Sequence, residues 1–320
     1  MWNTKIIDFI DTELQGNISL FKETPYHRGD TSLRKSNIIF HLTEMERVVM
    51  TEIRDPLQYA KYCKLNFYKY QEDFIRTAMT NRFIAVATAR QMGFTMLSAF
   101  TALHYVNTNM NKTFFYVTTK NDSAAEFISK IKDMYSRLPF FMKPGIISWN
   151  AKSVEFDNGC RIFAKGGHDD ISVGTDINFL YIDNAAHINN LDKHYRNITP
   201  SMVKTSDTKI IVSSSPNGYN WFYQLFMDAE SGKNEFLPLR FTWNLVPSRD
   251  EYWKNEEIKN LGSVEMFETE YELKFQAKEG EHKKEVQKIE SKSVTEMFER
   301  IMNTLKELDY RIKALEKKKK

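Results

Sequence analysis

From residue 67 onward, short runs of apolar residues alternate with longer segments in which apolar positions recur at helical spacing. Apolar runs separated by amphipathic helices are typical of a mainly parallel sheet with crossover helices, so the sequence predicts an α/β fold. The predicted strands are Phe83–Ala87, Thr113–Thr118, Phe179–Asp183, Lys209–Ser213 and Leu237–Trp243. The predicted helices are Met96–Tyr105, Ser123–Leu138, His194–Val203 and Tyr219–Ala229.

Two patterns differ from this series. Residues 153–164 form two alternating runs around Asn158-Gly159, a pair that favours the left-handed positions of a hairpin turn, so an antiparallel hairpin is predicted within the sheet region. Residues 41–63 have helix-forming composition interrupted by Pro56, where one helix should end or kink. We expect a helical N-terminal region over 1–66 and the α/β domain over 67–276.

The last residues, 277–320, are predicted to form a linker and a basic heptad helix. Apolar residues recur at alternating spacings of four and three between Val294 and Leu315, which is the seam of a coiled coil. Self-association through 294–315 and packing of this stripe on the body both remain open. The terminal lysines are typical of a solvated end.

Composition limits the classes of protein that fit. Hydrophobic residues make up 42% and charged residues 27% of 320, with only 12 Gly and 8 Pro, which excludes collagen-like and wholly disordered chains. The apolar runs are far shorter than the ~20 residues of a membrane helix. The N-terminus has no basic region followed by an apolar run, so no export signal is visible. We expect a soluble, cytosolic protein with no membrane partner.

Charge and cysteine content narrow the classes further. The net charge is +3, and residues 281–320 carry twelve Lys or Arg against eight Asp or Glu, so the rest of the chain is close to neutral. A near-neutral body predicts localised contacts with DNA and no broad basic surface. Cys63 and Cys160 are far apart and lie in no metal or redox motif, so both are predicted to be buried thiols.

The candidate chemistry begins directly after the strand Phe83–Ala87. A loop, Thr88–Thr95, leads from this strand into a helix, and amides at such a helix start can bind phosphate. The phosphate-loop pattern GxxxxGK[ST] is met only at Gly93 and Thr95, because Thr88 and Phe94 occupy the first Gly and the Lys positions.

A second element is the strand Phe179–Asp183, in which four apolar residues end in an acid. This is the form of a Walker B strand, whose carboxylate can hold a magnesium-bound water opposite Thr95. The next residue, usually an acid that orients the attacking water, is Asn184 here. A third element, Lys209–Gly218, is a buried strand that runs into a polar turn.

Together, these segments resemble the ATPase domain of the large terminase subunit, the DNA-packaging motor of tailed bacteriophages, over roughly residues 55–276. The family's variant Walker A, Ser/Ala-Arg-Gln-x-Gly-Lys-Thr/Ser, is matched by Ala89–Thr95 except at the Lys. The other matching segments are Tyr70-Gln71, Pro144-Gly145-Ile146, Trp149-Asn150, Asp157-Asn158-Gly159, Ser213–Gly218 and Asn220–Tyr223.

The resemblance implies a P-loop NTPase-like fold of the ASCE type, ATP and Mg²⁺ as cofactors, and a location in the cytoplasm of the infected bacterial host. It implies an arginine-finger role for Arg90, magnesium coordination by Thr95 and Asp183, and a catalytic pair of Asp183 with the degenerate Asn184. The nucleotide-binding residues that it implies are Gln71, Arg90, Gln91, Gly93, Phe94 (degenerate) and Thr95. The coupling motif that it implies is Ser213, Ser214, Ser215, Pro216, Asn217 and Gly218.

Three departures from the family pattern fall at this site. Phe94 replaces the Lys that neutralises the β- and γ-phosphates, and its ring is expected to occupy the place of the ammonium. Asn184 replaces the carboxylate that accepts the proton of the attacking water. Val173 stands where the family usually has Arg. We therefore expect very weak binding of ATP and little or no hydrolysis.

Several functional interpretations remain open. One is a divergent subunit of the packaging motor, and another is an inactive pseudo-ATPase that binds a portal protein, double-stranded DNA or other motor subunits. A helicase-like ATPase is a third, against which Ser215-Pro216-Asn217-Gly218 argues. The family's nuclease domain would begin near residue 276, where too little sequence follows, so no nuclease activity is expected. His168, Asp169 and Asp170 are expected to be solvated rather than metal ligands.

Overall fold

The computed structural model describes residues 42, 44–167, 176–202 and 207–277 of the chain. Its strands are β1 (Phe83–Thr88), β2 (Thr113–Thr118), β3 (Ile146–Asn150), β4 (Ser153–Phe156), β5 (Arg161–Gly166), β6 (Phe179–Ile182), β7 (Lys209–Ser214) and β8 (Leu237–Phe241). Its helices are α1 (Glu44–Glu52), α2 (Pro56–Tyr62), α3 (Lys69–Thr80), α4 (Phe94–Thr108), α5 (Asn121–Arg137), α6 (Leu191–Ile198), α7 (Trp221–Glu230), α8 (Glu251–Leu261) and α9 (Val264–Glu270).

The strands form one sheet in the order β3-β4-β5-β2-β6-β7-β1-β8. From β5 to β8 all neighbouring pairs are parallel, so the carboxyl ends of β1, β6 and β7 meet at the same edge. Strands β2 and β6 are buried along their whole length, as expected for a parallel sheet covered on both faces. The predicted α/β fold is confirmed, with the single strand β7 separating β1 from β6.

The predicted hairpin is also present. Strands β4 and β5 pair antiparallel, and β5 joins the hairpin to the main sheet through β2. The edge strand β3, which pairs antiparallel with β4, was not predicted. Its five residues are partly buried or exposed, and Ile147 is 56% exposed, so β3 lacks the continuous apolar run of a central strand.

Local sequence chemistry explains several helix ends. Pro56 is the first residue of α2, where its fixed φ is tolerated, and Asp55 caps the helix by accepting from the Leu57 amide at 2.8 Å. The predicted helix His194–Val203 is wrong at both ends. Helix α6 begins earlier, after Asn190, and gives way to a 3₁₀ turn that contains Pro200.

The last predicted strand was too long. Strand β8 ends at Phe241, and Trp243 starts a 3₁₀ turn whose ring packs on Trp253 of α8, at 5.6 Å between centroids. Helices α8 and α9, which follow this turn, were not predicted. Both are rich in charged residues, and α8 has no buried residue.

The helices before the sheet pack on the same core. Tyr59 of α2 is fully buried, lies 5.9 Å from the ring of Phe100 in α4, and accepts a hydrogen bond from Asn107 at 3.0 Å. Lys209, at the start of β7, donates to the carbonyls of Met79 and Asn81 at the end of α3. These contacts fix α2 and α3 against the edge of β1.

Cys63 and Cys160 are both free and buried, as predicted. Within the described part of the chain, no helix is long and apolar enough to cross a membrane. The same residues contain no cluster of three or more metal-binding side chains. The predicted heptad seam of 294–315, Val173, and the run His168–Asp170 lie outside the described residues.

Candidate functional site

The loop between β1 and α4 has an alternating backbone. Gln91 has φ of 58° and Gly93 has φ of 80°, both left-handed, with Met92 between them. Within the described residues, the amides of residues 91–95 donate to no protein acceptor. Successive free amides in alternating right- and left-handed conformations form a concave site for anions, the arrangement found in phosphate loops. The backbone half of a phosphate-binding loop is therefore present.

The opposite side of this loop is held by hydrogen bonds. The Met92 carbonyl accepts from the Tyr70 hydroxyl at 2.9 Å and from the Gln71 amide at 3.1 Å. The amides that precede the free ones are also bonded, because Ala89 donates to the Phe241 carbonyl and Arg90 to the Glu270 carbonyl. The loop is thus tied to α3, β8 and α9.

Gln71 was predicted to lie beside the adenine, and the structure shows it bracing the loop. Its Oε1 accepts from the Tyr68 amide at 3.0 Å, while its Nε2 donates to Met92. A Cβ at Gly93 would lie 2.9 Å from Gln71 Nε2, and the φ of Gly93 is already one that side chains rarely adopt. Gly93 is therefore required both by its conformation and by the close approach of Gln71.

Phe94 is the first residue of α4, and its ring is buried in the core. It lies 4.9 Å from the ring of Phe74 in α3 and 5.2 Å from that of Phe241 in β8, and the residue is 6% exposed. The expectation that this ring takes the place of an ammonium is therefore wrong. An apolar ring gains more from burial between α3 and β8 than from extending over a polar loop.

Arg90, the predicted arginine finger, is engaged in an ion pair. Its Nε lies 2.7 Å from Glu270 Oε2, with the Arg90 side chain 54% exposed and that of Glu270 13% exposed. The guanidinium must leave Glu270 before it can contact a ligand in the loop.

Asp183 lies at the end of β6, is 4% exposed, and meets the loop at the predicted point. Its Oδ2 accepts from Thr95 Oγ1 at 3.2 Å, so the two residues expected to hold magnesium are in direct contact. Oδ2 also accepts from the Tyr116 hydroxyl at 2.7 Å, and Oδ1 accepts from Ser213 Oγ at 2.9 Å and the Asn184 amide at 3.1 Å. A carboxylate has about four acceptor positions, so protein donors use all of them.

These contacts have opposing effects on the Asp183 carboxyl. Burial raises its pKa, while the hydrogen bonds from Tyr116, Ser213 and Thr95 act in the opposite direction. Burial, together with the charge of Asp183, raises the pKa of Tyr116 well above its ordinary value. Tyr116 was not singled out in the sequence, although a hydroxyl inside the otherwise apolar strand TFFYVT needs a buried partner.

Asn184 follows Asp183 in a left-handed conformation, with φ of 56°, and is exposed. The 3₁₀ turn after it contacts the predicted coupling motif: the Ala186 amide donates to Ser214 Oγ at 3.0 Å, and Asn217 Nδ2 donates to the Ala186 carbonyl at 2.8 Å. His187 Nε2 lies 3.1 Å from Ser215 Oγ, a contact that the sequence did not predict. The end of β6 and the end of β7 are therefore joined by a hydrogen-bonded network.

The site fits a magnesium–nucleotide only in part. The free loop amides and the Thr95–Asp183 pair match the phosphates and a magnesium-bound water. The loop lacks its ammonium, Arg90 is paired with Glu270, and Asn184 offers an amide where a carboxylate would accept a proton.

Comparison with known proteins gives a family match and a set of similar folds. The model of the family described as terminase large subunit, T4likevirus-type, N-terminal, matches residues 86–282, which is more than half of the chain. The large terminase ATPase domain of Thermus phage P74-26 has a TM-score of 0.55 at 17% identity, over 68% of this chain and 97% of that one.

Longer terminases have the same fold over part of their length. The large terminase of bacteriophage HK97 matches with a TM-score of 0.53 at 16% identity, over 65% of this chain and 50% of that one. The large terminase of another thermophilic bacteriophage, in complex with ATP-gamma-S, matches with a TM-score of 0.51 at 16% identity, over 64% and 52%. At these identities the structures show a shared fold, in agreement with the predicted ASCE-type sheet.

Proposed function

Because the chain belongs to the terminase large-subunit family, through the N-terminal domain matched over 86–282, we propose that it acts in phage DNA packaging with a weakened nucleotide site. The proposed role is that of an ATPase-fold subunit that binds ATP with magnesium very weakly and hydrolyses it negligibly. Double-stranded DNA, a portal protein or other motor subunits are the proposed partners, in the cytoplasm of the infected host. The family match favours this role over a helicase-like one.

The residual site is proposed to bind phosphate through the amides of residues 91–95. Thr95 and Asp183 would hold a magnesium-bound water, and Gln71 would support the loop from α3. When bound, magnesium would neutralise charge on the phosphates. The support for this assignment is the contact between Thr95 and Asp183 below the free amides, together with the thermophilic-phage terminase that was solved with ATP-gamma-S.

The observation that carries the proposed weakness is the position of Phe94. Its ring lies in the core with Phe74 and Phe241, so the loop has no cation from this position. A charge-assisted hydrogen bond contributes about 1.5–3 kcal/mol, which corresponds to roughly 10- to 150-fold in affinity. Slow hydrolysis follows separately from Asn184, since a neutral amide is not a base for the attacking water.

One observation favours a second candidate function, that of a binding module without catalysis. The protein's own groups satisfy the polar atoms that a ligand would use: Asp183 has four donors, and Arg90 is paired with Glu270. A site that is internally satisfied can keep its fold without nucleotide. Such a module would contact its partners through surfaces outside the loop, and 294–315 is the segment proposed for self-association.

The test is phosphate release from ATP by the purified full chain with magnesium. We expect no release above a protein-free sample, for the wild type and for Asp183→Ala alike. Asp207→Ala is the matched control, because Asp207 is an exposed residue paired with Lys112 away from the loop. Turnover on the scale of about one per second or faster, lost in Asp183→Ala and retained in Asp207→Ala, would overturn the proposal.

A further inference from the structure

An arginine outside the recognised motifs contacts the loop from its carbonyl side. Arg249, just before α8, has Nη1 3.3 Å from the Arg90 carbonyl and Nη2 3.3 Å from the Gln91 carbonyl. Nη1 is also 3.6 Å from Met92 Sδ. One guanidinium therefore spans consecutive carbonyls at the point where the backbone turns left-handed.

Arg249 is itself held in place by aromatic rings. Its guanidinium lies 4.6 Å from the ring centroid of Trp253 in α8 and 5.9 Å from that of Tyr271. Stacking on aromatic faces leaves the planar fork of an arginine free to donate in its own plane. The contact is thus between a pre-oriented donor pair and the two carbonyls, which a lysine ammonium on a flexible stem could not reproduce.

The carbonyls and amides of this loop have opposite roles. With donors on the carbonyls of Arg90, Gln91 and Met92, the amides of residues 91–95 stay without protein partners. Gln91 keeps a φ of 58°, a conformation that costs about 1 kcal/mol or more for a residue with a side chain and persists only where the surroundings enforce it. Arg249 supplies such an enforcing contact.

We infer that Arg249 is a positioning residue that holds the loop in its anion-binding conformation without touching the ligand. This inference rests on the proposed function for its consequence, that phosphate affinity depends on Arg249. The conformational part stands on the contacts of the free protein alone. It also gives a physical role to the turn between β8 and α8, which the motifs leave without one.

The experiment compares the full-length wild type with Arg249→Ala, Arg249→Lys and Arg240→Ala. Arg240 is the matched control, because its guanidinium also lies over aromatic rings and pairs with Glu230, but it does not contact the loop. Amide hydrogen exchange is followed by mass spectrometry in peptides that cover 86–97 and, as an internal reference, β2. ADP binding without magnesium is followed by NMR titration.

We expect exchange of the Ala89 and Arg90 amides to become about tenfold faster in Arg249→Ala, with β2 and Arg240→Ala unchanged. Arg249→Lys keeps the charge and is expected to fold, yet to show the same local acceleration, which a purely electrostatic or global role would not produce. Unchanged exchange in 86–97 for both Arg249 variants would overturn the inference. Acceleration that is equal in β2 and the loop would also overturn it, because the effect would then be global.

The ADP titration separates the inference from the proposed function. If the wild type binds ADP, Arg249→Ala should weaken binding by about tenfold and Arg240→Ala should not. If the wild type binds no ADP at millimolar concentration, the proposed residual site fails, while the exchange data still decide whether Arg249 holds the loop.

Discussion

Replacing Phe94 by Lys should return a cation to the loop at a measurable cost in stability. Phe94 is 6% exposed and packs on Phe74 and Phe241, so the substitution removes a ring from a filled site. An ammonium on a four-carbon stem can reach from the buried Cβ of the first helical residue toward the polar loop, as lysines do when they keep their heads in water.

The size of both effects can be worked from these contacts. Truncating a buried Phe costs about 3–5 kcal/mol, and the aliphatic part of Lys restores some of that, so we expect a loss of about 2–3 kcal/mol of unfolding free energy. The returned charge should strengthen binding of ADP by about 1.5–3 kcal/mol, or roughly 10- to 150-fold. Stability and affinity should therefore change in opposite directions.

The assay is ADP affinity by NMR titration, with unfolding by urea measured on the same samples. Phe94→Met is the matched control, because it removes the ring and keeps an unbranched side chain without charge. We expect the dissociation constant of Phe94→Lys to be at least about tenfold lower than that of Phe94→Met at low salt. Equal constants for the two folded variants would refute the reasoning that the missing ammonium limits binding.

Three further predictions concern protonation and assembly. Burial lowers the pKa of His104 to about 4, so the stability that its neutral form contributes is lost as pH falls below its ordinary pKa; urea unfolding should show about 2 kcal/mol lost between about pH 7 and pH 5, and His104→Gln should lack this loss. The raised pKa of Asp183 has the opposite sign, since its contribution is present below the ordinary carboxyl pKa and lost as pH rises through the folded-state pKa; relative to the wild type, Asp183→Asn should gain stability between about pH 4 and that value, and parallel pH profiles would contradict this. Deleting 281–320 should lower the oligomer mass in light scattering, and an unchanged mass would count against self-association through 294–315.

The central strands could be predicted because burial on both faces leaves a simple signal. The predicted bounds of β1, β2, β6 and β7 agree with the structure to within one residue, since each is a continuous apolar run between polar turns. The edge strand β3 and the polar helices α8 and α9 were missed, because their positions depend on contacts with distant parts of the chain.

The same distinction applies to the site. Thr95 and Asp183 were expected to meet, because a parallel sheet brings the ends of β1 and β6 to one edge, and they do. Tyr116 and Arg249 reach the site across 67 and 158 residues of sequence, so no local pattern indicates them. The direction of the Phe94 ring likewise depends on Phe241, whose approach follows only from the pairing of β8 with β1.

The central claim is that a phosphate loop of this family has kept its backbone and lost its cation and its base. Titration calorimetry of the purified full chain with ATP and magnesium tests it most directly. The account predicts a dissociation constant in the millimolar range or weaker, unchanged by Asp207→Ala. Micromolar binding that disappears in Asp183→Ala would contradict it.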